Sequence, residues 1–200
     1  NPGGIAAGIV DCGGGTVYVV PVTDLKDGYL ATHSLLSSVA ALLLASDAAS
    51  QDPFGTVRLL DSLSARLADM RAPATRAARL AAWAHLRRND TVVVASDPLL
   101  RPLSVLLDTS IWEASLCHVQ TTDIRNLAHG RHSWLHHRME ETTILALTGI
   151  DSRASWTAID AALPESLRRI SFDHGSCGRF DNALAIIDGL GILEATGVIL

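Results

Sequence analysis

Lysine is nearly absent from this 200-residue chain: Lys26 stands alone, and the other 15 of the 16 basic residues are arginines. No dense basic run forms, and 21 acidic residues bring the net charge to −5. A broad electrostatic stripe for nucleic acid is thereby excluded. Cysteine is scarce too. Cys12, Cys117 and Cys177 are odd in number and far apart, which argues against a disulfide framework and for a reducing, cytoplasmic setting. Aromatic residues make up only 4%, so any core must be aliphatic. The longest purely apolar run, Val39 to Ala45, is far shorter than the roughly 20 residues that span a bilayer, so no membrane partner is expected. Against these shortages stand 29 leucines and 28 alanines, a bias that reads as GC-rich coding. A hydrophobic fraction of 48% with 18% charge rules out disorder. The ends, Asn1 in a glycine-rich stretch and Val198-Ile199-Leu200, read as those of a piece of a longer chain.

Short β-branched segments mark strands at Thr16 to Val22, Thr91 to Ala95 and Thr143 to Thr148, with a weaker one at Arg169 to Phe172. Helical stretches separate them: Leu30 to Ala49, Val57 to Met70, Thr75 to Arg88, Leu99 to Cys117, Ala154 to Ala162 and Asp181 to Leu190. Strands alternating with helices of this length imply parallel βαβ units. The run Val92-Val93-Val94 has the composition of a strand covered on both faces. The expected fold is therefore a layered α/β sheet. Asp69 to Thr75, with Pro73, is the natural boundary, giving units 1–70 and 71–200.

In an open parallel sheet, ligands collect outside the carboxyl ends of the strands. Two loops suit that position. Ser96-Asp97-Pro98 follows a strand and precedes a helix, so its hydroxyl and the free N–H groups of the helix start favour an anion. Plain capping by Ser or Asp is the competing explanation. Lys26-Asp27-Gly28 stands before Leu30-Ala31-Thr32-His33-Ser34, where Lys26, Thr32 and Ser34 offer a cation and hydroxyls to phosphate or sugar oxygens. An N-cap with a turn glycine is the competing explanation, and taken alone the simpler one. Glu113 lies on an otherwise apolar helix, and partial burial there would raise its pKa toward that of a general base. A solvent-facing helix charge is the alternative. His129, in His129-Gly130-Arg131-His132, is a candidate proton shuttle. The neighbouring His132, His136 and His137 raise a metal site as a rival, but no Cys-x-x-Cys or His-Glu-x-x-His pattern accompanies them, and no metal is expected. Cys117 or Cys177 as nucleophile lacks a distinctive context, and a small buried apolar role fits Cys117.

The order of these pieces resembles the tandem sugar isomerase (SIS) domain proteins, with the isomerase half of glucosamine-6-phosphate synthase the nearest comparison. The resemblance is carried by Val92-Val93-Val94-Ala95, Ser96-Asp97-Pro98, Pro102, Glu113 and Leu127-Ala128-His129-Gly130. Glu113 and His129 are 16 positions apart, the family's spacing between its isomerising base and its ring-opening histidine. Residues 17–49 resemble, more weakly, the end of a preceding domain of the same kind.

The resemblance implies a three-layer αβα fold with parallel sheets, a partial first SIS subdomain over 1–70 and a second over 71–200. It also implies a phosphorylated sugar as ligand. His129 would open the ring, and Glu113 would move a proton between adjacent carbons through an enediol, completing an aldose–ketose isomerisation without metal or organic cofactor. Ser96, Thr32, Ser34 and Lys26 would bind substrate. Family histidines of this type reach a neighbouring subunit's site, so a homodimer or larger assembly is expected. The chain also departs from the family. No Ser/Thr-rich phosphate loop is seen, Ser96-Asp97-Pro98 replaces a glycine-rich loop, and the lysine-bearing tail has no counterpart. Those departures favour the alternative: a non-catalytic regulatory module that binds a phosphosugar or nucleotide sugar.

Overall fold

A computed structural model describes residues 32–48, 55–175 and 181–200. The strand expected at Thr16 to Val22 lies outside them. The chain divides into two compact units, Asn1–Asp52 and Pro53–Leu200. The boundary thus falls earlier than Pro73, because the helix that ends at Arg71 packs on the helices over 73–83 and 181–199. In the first unit the described element is a 17-residue helix, α1 (Thr32–Ala48).

The second unit opens with two helices, α2 (Gly55–Arg71) and α3 (Pro73–Trp83). Pro73 begins α3 because its missing N–H costs nothing in a first turn. β1 (Thr91–Ser96), α4 (Arg101–Glu113), β2 (His118–Asp123) and α5 (Ile124–His129) follow. After them come a short helix α6 (Leu135–Arg138), β3 (Thr142–Thr148), α7 (Arg153–Ala162), β4 (Arg168–Asp173) and α8 (Asp181–Ile199). The four strands form one sheet in the order β2-β1-β3-β4, and every pairing is parallel. Thr91 pairs with Thr142 and Ala95 with Ala146, so the two segments expected as buried parallel neighbours are neighbours.

Alternation along the central strands divides the core between two faces. Val92, Val94, Leu145 and Leu147 face a cluster with Trp83, Leu103, Leu107, Ile111 and Ile192. Val93, Ala95, Ile144 and Ala146 face a second cluster with Ile124, Leu127, Trp156 and Leu167. Helices therefore cover both faces, with α3, α4 and α8 on one and α5 and α7 on the other.

Three expected boundaries moved, each for a local reason. The helix expected over Leu99 to Cys117 starts as a 3-10 turn, Pro98–Leu100, and ends at Glu113. Its stop is made by Ser115, held at φ 52°, with the Leu116 N–H reaching back to the Ile111 carbonyl. Glycine is the usual residue in that left-handed position, and serine gives no such signal. The helix expected to end at Arg88 ends at Trp83, and Leu86 folds back to be buried. Finally, α8 runs nine residues beyond the expected Leu190. Gly189 and Gly191 lie inside the helix, where a Cβ on Gly189 would run into the Leu103 side chain and one on Gly191 into the Arg79 guanidinium.

Candidate functional site

The β1→α4 connection leaves toward one face and the β3→α7 connection toward the other. Parallel sheets place their ligand crevice where such connections diverge, here at the carboxyl ends of β1 and β3. In this chain Asp97 plugs that point. Its N–H donates to the Leu147 carbonyl at 2.8 Å, and its carboxylate accepts from the Leu99 N–H at 2.8 Å. Gly149 leaves the carboxylate its space, since a Cβ there would come within 3.3 Å of it. Asp97 is buried and committed to capping. The open concavities lie on either side of it.

The first is a cleft of about 410 Å³ over the ends of β1 and β2. Ser96 and Ser104, both buried, offer hydroxyls, and Arg101 and Arg131 line the same cleft. Thr121, Thr122 and Asn126 add further polar groups. Arg131 is held in place by donating to the Thr121 carbonyl at 3.2 Å. Asp123 also lines the cleft, yet its carboxylate is occupied with the backbone N–H and side-chain amide of Asn126 as the cap of α5. Two guanidiniums against one engaged carboxylate make this a place for an anion.

The second concavity, about 640 Å³, lies against α5 and α7. His129, Asp151, Ser152 and Ser155 line it, together with Asp97 and Asp123, which border both concavities or the plug between them. His129 itself is exposed at the last position of α5.

The structure thus brings Ser96 into a cleft at the carboxyl rim, as expected, and puts His129 in the neighbouring concavity. Glu113 is a correction. As the last residue of α4 it is exposed, and α4 runs back against the strand direction to the opposite rim of the sheet. The preceding Trp112 meets His118, the first residue of β2, edge to face with ring centroids 6.2 Å apart. Glu113 therefore neither gains the partial burial a base of that kind needs nor shares a cleft with Ser96 in this chain. Lys26 lies outside the described residues, and for Thr32 and Ser34 only their helical backbone in the first turn of α1 is described.

The surroundings of Cys117 disfavour its thiolate. Burial pushes its thiol up to about 11, with the nearby charge of Asp90 adding to the shift. Among the described residues no group of three His, Cys, Asp or Glu side chains is placed to hold a metal. Nor is any described helix long and apolar enough to cross a membrane.

Sequence reasoning passed over Arg101 and Arg131. Both had a signal: Arg101 opens the helix beside Pro102, and Arg131 follows the His-Gly pair by one residue. His174 also has surroundings that its place after β4 does not announce. His174 is buried after β4, stacked on Phe172, with its ring 3.4 Å from Arg66 and 3.6 Å from Asp188, which are themselves paired at 2.6 Å. No protein-family model, no curated protein and no solved structure matches the chain.

Proposed function

We propose that this chain is a binding module for a phosphorylated sugar, with the phosphate seated between Arg101 and Arg131 over the end of β1. The convergence of those two guanidiniums with the buried hydroxyls of Ser96 and Ser104 in one cleft carries the reading. Helix α4 starts at the same cleft and carries Arg101 and Ser104 in its first turn. Hydroxyl and carboxamide groups of Thr121, Thr122 and Asn126 suit the oxygens of a sugar. The resemblance to the SIS proteins supports the same ligand class.

The exposed, distant Glu113 favours a regulatory module over an isomerase, because one chain does not supply base and substrate cleft together. Titration calorimetry with a hexose monophosphate, the free hexose, inorganic phosphate and a nucleoside-diphosphate sugar tests this reading. The hexose monophosphate should bind in preference to the free hexose. Arg131→Ala should weaken it by about 10- to 100-fold, since a hydrogen bond to a charged group contributes about 1.5–3 kcal/mol. Equal binding by wild type and Arg101→Ala/Arg131→Ala would remove the cleft from consideration. Isotope exchange at the second carbon of the bound sugar would restore the isomerase.

A further inference from the structure

The segment from Arg131 to Glu141 carries a set of donors that the phosphate cleft does not use. It runs as a 3-10 turn (Arg131–Trp134), α6 and a second 3-10 turn (Met139–Glu141). His132, His136 and Met139 follow one another at intervals of four and three, the spacing that keeps side chains on one side of a helix. All three line a single concavity of about 900 Å³, together with the buried Leu127 and Leu135. That concavity is open to solvent and adjoins the one lined by His129, with which it shares Ala128 and Ile159. A small ion reaches it without rearrangement.

His132 is oriented as a metal ligand is. Its Nδ1 lies 3.2 Å from the Leu127 carbonyl, and a carbonyl only accepts, so the proton sits on Nδ1. The neutral ring then carries its lone pair on Nε2, the atom a metal takes. A backbone carbonyl on the other ring nitrogen is the usual outer partner of a metal-bound histidine. The scaffold beneath is fixed. Trp134 donates its indole N–H to the Thr142 hydroxyl at 3.1 Å, and that hydroxyl donates to the Arg138 carbonyl at 2.6 Å. At the far end the Ser166 hydroxyl donates weakly to the Met139 Sδ at 3.8 Å and leaves the sulfur a second lone pair. The guanidiniums of the segment are held elsewhere: Arg131 donates to the Thr121 carbonyl, and Arg138 pairs with Glu141 and lies over the Trp134 ring.

The donors select the ion. Imidazole nitrogen and thioether sulfur are neutral and suit soft or borderline metals. Among the described residues no carboxylate lines the concavity, so calcium or magnesium finds no oxygen cage there. Zinc would bring a double charge beside Leu127, Ile159 and Leu163 with no anion to offset it. We propose that His132 Nε2, the His136 imidazole and Met139 Sδ form a binding site for a soft monovalent metal ion of the copper(I) and silver(I) class. Methionine as third donor sets this trio apart from the His, Cys, Asp and Glu groupings that hold harder ions.

The test uses the whole chain with ¹³C-methyl methionine and ¹⁵N-histidine labels, titrated with silver(I) nitrate in chloride-free buffer and followed by NMR. Methionine occurs twice, at Met70 and Met139, so the site is read directly even while cysteine thiols take up part of the silver. The Met139 methyl should shift saturably together with the Nε2 signals of His132 and His136, and the Met70 methyl should stay. Zinc(II) should bind these histidines at least tenfold more weakly than silver(I). Met139→Leu, close in volume, should weaken silver binding at His132 and His136 at least tenfold and leave hexose-monophosphate binding and the thermal melt in place. His132→Phe should weaken the silver response of Met139 to the same degree. Histidine shifts with an unmoved Met139 methyl would overturn the thioether ligand and with it the choice of a soft ion. Zinc binding as tight as silver would overturn that choice as well. A Met70 methyl that moves in step with Met139 would show adventitious thioether binding only, and would overturn the site, as would the absence of any shift at Met139 and the two histidines.

Discussion

The two rims of the sheet are built on opposite plans. At the amino rim, polar groups are spent on each other. Arg168, in β4, reaches Asp90 at 2.6 Å, the His85 carbonyl at 3.1 Å and the Glu140 carbonyl, stapling the loops before β1 and β3 together. Asp90 also accepts from the Arg87 N–H at 2.9 Å and is buried. The carboxyl rim is spent only in part. Its carboxylates are engaged, Asp97 with the Leu99 N–H, Asp123 with Asn126 and Asp173 with Arg153, while Ser96, Arg101 and Arg131 line an open cleft. One rim closes the fold, and the other presents it. The difference follows from topology, because helices begin at the carboxyl rim and bring free N–H groups with them, whereas only their ends and the turns back into the strands arrive at the other.

Breaking the staple should have the largest effect. Arg168→Ala leaves Asp90 buried without its guanidinium, and removing one partner of such a pair costs about 3–5 kcal/mol. Urea unfolding should show the loss, and hexose-phosphate affinity should not move in the folded fraction. A loss below about 1 kcal/mol would mean the two rims are not energetically distinct. The plug should matter less. Asp97→Ala removes one cap and should cost about 1 kcal/mol, yet it should tighten anion binding by taking a negative charge away from the cleft.

A smaller signature is a pH dependence confined to the amino rim. His85 has its pKa lowered from 6.5, first by desolvation and then by Arg168, against a raising influence from Asp90. The neutral ring is thus favoured in the folded state. Its contribution is complete above 6.5 and is lost as pH falls through the lower, folded value. Since His85 is exposed, the slope should be shallow, and His85→Gln should erase it in melts taken across that window. Smallest of all is Glu113→Gln. A substitution at an exposed helix end should stay within about 0.5 kcal/mol in stability and leave ligand binding untouched. Loss of binding in that variant would return Glu113 to the site.

The central strands were legible because burial on both faces leaves an unbroken apolar run, as in Val92-Val93-Val94. The edge was harder. β2 reads His-Val-Gln-Thr-Thr-Asp, and only Val119 of it is buried, so its alternation is faint. The expected end of α8 at Leu190 fell short because Gly189 and Gly191 are helical here, and composition does not distinguish a glycine that ends a helix from one that admits a neighbour. Ser96 was legible because a small polar residue between a strand and a helix has few other duties. Glu113 was misplaced by reading spacing along the chain as proximity in space. Thirteen residues of helix carry it to the far rim. The arginines of the cleft were passed over because a charge next to a helix start is common on any surface, and only the sheet order brings these two together.

The late position of α8 in the chain has a consequence for how the protein is made. Leu184, Ala185, Ile187, Ile192 and Leu193 of that helix are buried, and it packs on α2, α3 and α4. Until residues 181–199 have left the ribosome, Leu103, Leu107 and Trp83 have no cover on that side. The face made first is therefore the one finished last. Folding of this unit should be held back until α8 has emerged, with the earlier part of the unit open to chaperones until then, as long-range parallel topologies generally are.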